Sequence, residues 1–258
     1  HQVPIVDSEG RVVGIELLDE ILHAETFDNA VVLMAGGLGS RLRPLTDDTP
    51  KPLLKVGNKP ILETIIENFM EYGFNRFFIS INYKGEKIEE YFGDGARWGA
   101  DITYMRETDR MGTAGALAGL AGKIDKPVFV MNGDLLTRVN FKQLMKFHVE
   151  QKGAATMCVR NYDLQVPYGV VTTDRYRLLS IEEKPSQRFF VNAGIYVIEP
   201  EVIGLIPQNT YFDMPELFKK LVEMKKEAAV FLIREYWLDI GRFDDLERAN
   251  GEFARIFE

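Results

Sequence analysis

Cysteine, histidine and tryptophan are all scarce in this chain, with one Cys, three His and two Trp among 258 residues. The single thiol, Cys158, rules out an internal disulfide. Its setting in the apolar run AATMCVR reads as a packed core thiol rather than a reactive one. Neither His23 nor His148 has a histidine or cysteine at ligand spacing, so no zinc site is expected and both read as surface or packing residues. No apolar run approaches the ~20 residues that a membrane span needs, and no signal-peptide pattern is visible. Basic residues are in deficit, 31 against 39 acidic ones, for a net charge of −8. That balance argues against nonspecific nucleic-acid binding. What is left is an ordinary α/β composition, long enough to bury a full core and expected in the cytoplasm. The sequence opens in mid-pattern on His1, so residues upstream of it are expected.

The most informative stretch is residues 31–60, VVLMAGGLGSRLRPLTDDTPKPLLKVGNKP. Val31, Val32, Leu33 and Met34 form an apolar, strand-like run that ends in Ala35-Gly36-Gly37-Leu38-Gly39. Three glycines there let the backbone turn sharply and come close to a ligand. Arg41, Arg43, Lys51, Lys55 and Lys59 follow, against Asp47 and Asp48, so this part is positive within an acidic protein. It reads as a strand feeding a phosphate loop. The spacing is neither G-x-G-x-x-G nor the P-loop pattern, and the glycines alone would equally suit a plain strand-to-helix turn.

Periodicity predicts helices over 59–72, 84–92, 141–151, 200–207, 213–226 and 243–257. Strands are predicted over 76–82, 102–106, 127–132, 154–160, 169–173, 178–183, 189–198 and 229–233. The alternation in the first half favours a mostly parallel sheet with helices on both faces, whose ligands bind at the carboxyl ends of strands. Asp134, just past the apolar run 127–132, is placed for a metal or a substrate, or for a turn. The small residues of Gly112-Thr113-Ala114-Gly115 precede an Ala/Leu/Gly-rich helix and suit tight packing or ligand approach. Taken alone, Glu183-Lys184 is a solvated pair and Asp239 an ordinary strand-end residue. Residues 1–28 read as a hairpin around Asp7-Ser8-Glu9-Gly10, with a helix starting at Asp19.

GGLGSRLRPLT followed by PKPLLKVGNKPIL closely resembles the signature of the sugar-phosphate nucleotidyltransferases. G-T-A-G-A, N-G-D, Y-G-V, E-E-K-P, N-A-G-I-Y and W-x-D-x-G then follow in the order of that family, over about residues 29–250. The resemblance implies a Rossmann-like, mostly parallel mixed sheet with a strand-rich sugar-binding part. It also implies transfer of a nucleoside monophosphate from an NTP to a sugar 1-phosphate. By it, Arg41 and Lys51 contact the nucleotide phosphates, together with the loop of Ala35, Gly36, Gly37, Gly39 and Ser40. Asp134 and Asp239 hold Mg²⁺. Glu107, Gly112 and Thr113 lie beside the base and ribose; a carboxylate at 107 suits guanine N1–H and N2–H₂, which points to GTP. Gly169, Glu183 and Asn192 line the sugar, and Lys184 takes its phosphate.

The pattern P-I-V-D-x-x-G-R-V-V-G-I-x-L-x-D within 1–28 resembles the C-terminal half of a CBS repeat. Residues 1–28 are thus expected as the remnant of a regulatory module and 29–258 as the nucleotidyltransferase domain. The combination resembles guanylyltransferases of bacterial surface-glycan pathways, with homo-oligomerisation left open. A cytidylyl- or uridylyltransferase is the alternative within the family. A glycosyltransferase, which would normally show D-x-D, and a nucleotide-sensing subunit are the alternatives outside it.

Overall fold

The computed structural model describes residues 2–6, 10–17 and 26–257. The chain begins with the strand pair β1 (Gln2–Val6) and β2 (Val12–Leu17), antiparallel as the turn cluster predicts. The helix expected from Asp19 lies outside the described residues. The first half continues with β3 (Phe27–Met34), β4 (Lys55–Val56), β5 (Lys59–Pro60), α1 (Ile61–Glu71), β6 (Phe74–Ile81), α2 (Gly85–Phe92), β7 (Asp101–Arg106), β8 (Val128–Asn132), β9 (Leu135–Thr137) and α3 (Phe141–Gln151). The second half holds β10 (Ala155–Gln165), β11 (Gly169–Asp174), β12 (Arg177–Glu183), β13 (Ser186–Ile198), α4 (Pro200–Ile203), α5 (Met214–Glu223), β14 (Ala228–Ile233), β15 (Trp237–Asp239) and α6 (Phe243–Phe257).

Seven strands form the central sheet in the order β14-β10-β13-β8-β3-β6-β7. Every neighbouring pair is parallel except the two made by β13, which runs antiparallel to β8 and to β10. The mixed, mostly parallel sheet expected from the sequence is therefore present. Both faces are buried because successive side chains alternate. Val31, Leu33, Phe129, Met131, Phe77 and Ile79 point to one side with α1, α2, α3 and α6. Val32, Val130, Phe78 and Tyr196 point to the other with α4 and α5. The first face is pinned by Phe69, whose ring stacks on Phe141 at 3.6 Å between centroids and meets Phe74 and Phe129 edge-on.

Several elements depart from the periodicity. The predicted helix within 107–122 is a 3₁₀ turn, Gly115–Leu120, whose N-terminal Ala114 and Gly115 N–H groups are capped by Phe212 O. Helix α1 starts at Ile61 because Lys59 and Pro60 pair with Lys55 and Val56. Helix α4 stops at Ile203, well short of 207.

The largest departure is in the strand-rich part. β10 and β13 run on past the sheet after a bulge, where the register jumps from Met157↔Tyr196 to Val159↔Asn192. Gly194 has φ +70 there, which glycine takes without strain. The two strands then form an arm that carries the separate hairpin β11–β12. Residues 161–190 are exposed apart from half-buried Pro185.

Cys158 is fully buried, as expected, and burial pushes its thiol far above the usual range. His148 is a packing residue. It is 1% exposed, with Nδ1 2.9 Å from Thr156 Oγ1 and Nε2 3.3 Å from Glu199 Oε1. Burial lowers its pKa below 6.5. The unfolded chain therefore binds this proton more readily than the folded one, and the contribution of His148 to stability is lost as pH falls below about 6.5. Glu199, raised by burial, acts in the opposite sense but from a carboxylate range that starts near 4.5. Thermal unfolding between pH 7.5 and 5.5 is expected to show a smaller loss of midpoint for His148→Gln than for the wild type. Equal losses would contradict the assignment.

Candidate functional site

The carboxyl ends of β3 and β8 lie side by side, with Met34 opposite Asn132. Gly133 N–H donates to Met34 O at 2.9 Å, and a Cβ at 133 would meet that same oxygen at 2.9 Å. Only glycine lets the two strand ends close in this way, and the closure puts Asp134 next to the glycine loop. The loop itself turns at Gly39, φ +62, where a Cβ would be 2.8 Å from Thr46 Cγ2 and 3.1 Å from Lys51 Cβ. Thr46 Oγ1 donates back to Gly39 O at 2.9 Å.

Lys51 is 7% exposed and its ammonium is bonded to the Asp134 carboxylate. A buried ammonium needs such a partner. The second carboxylate arrives by way of β15, which pairs antiparallel with β9 so that Asp239 lies opposite Leu135; Ile240 N–H donates to Asp134 O at 3.1 Å. Asp239 is raised above the ordinary aspartate value, first by burial and then by the charge of Asp134, while Lys51 and Arg41 pull it down. Gly241, two residues on, leaves room for the Arg41 guanidinium, 3.4 Å from where its Cβ would be. Gly37, Gly39, Ser40, Arg41, Lys51, Asp134 and Gly241 line one cavity of about 260 Å³, and Arg110 joins them. The structure thus brings together Arg41, Lys51, Asp134, Asp239 and the loop.

Among the described residues no group of three or more His, Cys, Asp or Glu side chains could hold a metal. Two neighbouring carboxylates that repel one another are nevertheless a donor set that fits Mg²⁺, which commonly takes one or two carboxylates and completes its shell with water and phosphate oxygens.

Glu107 is held by its own turn and by β6. One oxygen accepts from the Ser80 hydroxyl and the other from Met111 N–H at 3.0 Å. Gly36 leaves space for it, since a Cβ there would be 3.1 Å from Glu107 Oε1. Glu107 also lines a second cavity, of about 430 Å³, with Phe78, Met105, Met111, Gly115 and Gln208. Gly112 and Thr113 line neither cavity. A Cβ at Gly112, φ +77, would sit 2.6 Å from Phe212 O. Thr113 donates from N and Oγ1 to Asp213, at 2.8 and 3.0 Å, beside the capping box of α5. The structure therefore gives these two residues a packing role.

Gly169, Glu183 and Lys184 lie on the exposed arm and do not line the loop cavity. Glu183 packs across the hairpin over Gly169, whose Cβ would be 3.0 Å from Glu183 Oε2. Lys184 sits at φ +48 at the turn out of β12. Asn192, at the arm's base, donates to the Tyr196 hydroxyl at 2.7 Å and accepts from Gly194 N–H.

Sequence reasoning missed Arg110 and Asp245. The latter accepts from Gly241 N–H and Arg242 N–H and fixes the turn beside Asp239. A carboxylate in the first turn of the predicted helix 243–257 was the available signal for Asp245. The repulsion at Asp239 has a consequence for stability. Its raised pKa means that ionising it in the folded state is unfavourable as pH rises through the carboxylate range. Without added metal, Asp239→Asn is expected to raise the thermal midpoint at pH 7.5, with the gain shrinking towards pH 4. A lower midpoint at pH 7.5 would contradict the picture.

A family model described as nucleotidyl transferase matches residues 30–255. The UTP–glucose-1-phosphate uridylyltransferase of Synechocystis sp. is 34% identical over 238 residues, which cover 84% of this chain and 61% of that protein. Mannose-1-phosphate guanyltransferase 2 of Candida glabrata is 35% identical over 234 residues, covering 87% and 64%. The chain spans about three fifths of the length of these curated relatives. Among solved structures, HddC from Yersinia pseudotuberculosis superposes with a TM-score of 0.69 at 25% identity, over 87% of this chain and 99% of that one. With its sheet order, its glycine loop and nearly its whole length matched, the chain belongs to the nucleotidyl transferase family.

Proposed function

We propose that this chain transfers a nucleoside monophosphate, GMP by preference, from an NTP to a sugar 1-phosphate and releases pyrophosphate. What carries the reading is the convergence of a glycine loop, Arg41 and Lys51 with two carboxylates at the carboxyl ends of the sheet. A sugar phosphate oxygen would attack the α-phosphorus as the bond to pyrophosphate breaks. No covalent enzyme intermediate is required, because positioning and charge neutralisation can supply most of the acceleration. Loop N–H groups, Arg41 and Lys51 would offset the charge of the leaving group. Asp134 and Asp239 would hold Mg²⁺, which supplies positive charge at phosphate oxygens when bound.

The sugar half of the reading rests on the arm. Glu183 and Asn192 would take sugar hydroxyls, Gly169 would leave room for the ring, and Lys184 would take the sugar phosphate once the arm is seated over the cavity. The preference for GTP is supported by relatives that are mannose-1-phosphate guanyltransferases. The uridylyltransferase relative favours UTP as the second reading. A role in bacterial surface-glycan synthesis, a cytoplasmic location and a CBS-like origin for residues 1–28 complete the proposal. Among the described residues no helix is long and apolar enough to cross a membrane.

Pyrophosphate release should be screened with four NTPs against several sugar 1-phosphates. Release is expected with GTP and a hexose 1-phosphate in the presence of Mg²⁺. Asp134→Ala should abolish it while leaving the circular dichroism spectrum intact, and Lys184→Ala should raise KM for the sugar 1-phosphate but not for the NTP. A wild-type protein that turns over no pair would overturn the proposal.

A further inference from the structure

Arg110 lines the glycine-loop cavity from outside the recognised motifs, alongside Arg41, Lys51 and Asp134. Its side chain is exposed, and it makes no hydrogen bond or ion pair among the described residues. Its charge is felt by the Tyr211 phenol, whose hydroxyl is given to Asp213.

Of the other cations of the cavity, Lys51 is directly bonded to the Asp134 carboxylate and Arg41 acts on the Asp239 carboxyl through its charge alone. Arg110, like Arg41, keeps its guanidinium donors available for a ligand, and it faces no carboxylate of the proposed metal pair.

The backbone that presents Arg110 is fixed on both sides. Met111 N–H is held by Glu107 Oε2 at 3.0 Å, and Met111 O accepts from Phe212 N–H at 2.9 Å. Gly112 is wedged against Phe212 O, and Thr113 is tied to Asp213. Glu107, held in turn by Ser80, anchors this turn to β6. An unpartnered guanidinium on a fixed turn in the wall of a polar cavity offers a planar fork for phosphoryl oxygens, with the backbone already placed and no ion pair to break when the ligand arrives.

We infer that Arg110 is a further phosphate-contacting residue, which meets the β- and γ-phosphoryl oxygens of the NTP and stays on the leaving pyrophosphate. The inference rests on the proposed transfer for the identity of its ligand, so its test reads pyrophosphate binding separately from turnover. Inorganic pyrophosphate would be titrated calorimetrically, in magnesium buffer, into the wild type, Arg110→Met and Arg110→Lys. The methionine variant is expected to bind about tenfold to a hundredfold more weakly, as for loss of one charge-assisted bond. The lysine variant should recover part of the loss, and all three should unfold at the same temperature. In steady state, Arg110→Met should raise KM for the NTP and leave KM for the sugar 1-phosphate unchanged.

Pyrophosphate binding that is as tight in Arg110→Met as in the wild type would overturn the inference. So would a wild type that does not bind pyrophosphate, or a rise confined to the sugar 1-phosphate KM. Arg110-dependent pyrophosphate binding in a wild type without turnover would support Arg110 and sink the transfer reading.

Discussion

The ion pair between buried Lys51 and half-buried Asp134 is the constraint on which the site depends. Lys51 comes from the segment after the glycine loop and Asp134 from the end of β8, so the pair ties the loop to the sheet. An ammonium 7% exposed would be costly without that carboxylate, and removal of Asp134 leaves a buried charge unpaired. The pair holds only because Gly133 and Gly39 let backbone approach where any Cβ would intrude. Once Asp134 is fixed, the β9–β15 ladder delivers Asp239 beside it, against the repulsion of the two charges. That arrangement costs stability in the free protein, and it favours whatever cation or cationic side chain can reach it, a common bargain at reactive sites.

Much of this was legible in the sequence because it is local. The apolar run of β3, the glycines that follow it and the apolar run of β8 each carry their structure in a few adjacent residues, and β/α alternation predicts the parallel sheet. The pairing of Asp134 with Asp239 is not local: 105 positions separate them, and only the family order of motifs joined them. Three features were hidden. The β9–β15 ladder is made of three-residue strands, too short to show a period. The 3₁₀ turn at 115–120 is capped by Phe212 O, a partner far along the chain. The departure of β10 and β13 from the sheet is set by a bulge, and an alternating pattern does not say which sheet it belongs to.

The turn 107–113 changes most between sequence and structure. Glu107, Gly112 and Thr113 suggested direct contact with a base, yet their polar groups are largely committed to Ser80, Met111, Phe212 and Asp213. In the folded chain they build a rigid mount, and the side chain they present to the cavity is that of Arg110. A lone arginine after Glu107-Thr108-Asp109 gives no signal in the sequence, because its place in the wall of the cavity is set by contacts of the turn with Phe212 and Asp213, far along the chain.

On the proposed function this cavity, with Arg41, Lys51 and Asp134 in its wall and Asp239 beside Asp134, receives the triphosphate. A crystal structure with a non-hydrolysable GTP analogue and magnesium tests it most directly. Triphosphate density is expected against the loop from Gly37 to Arg41, within hydrogen-bond reach of Arg41, with a metal between Asp134 and Asp239. Nucleotide bound elsewhere, with only water in the loop cavity, would contradict it.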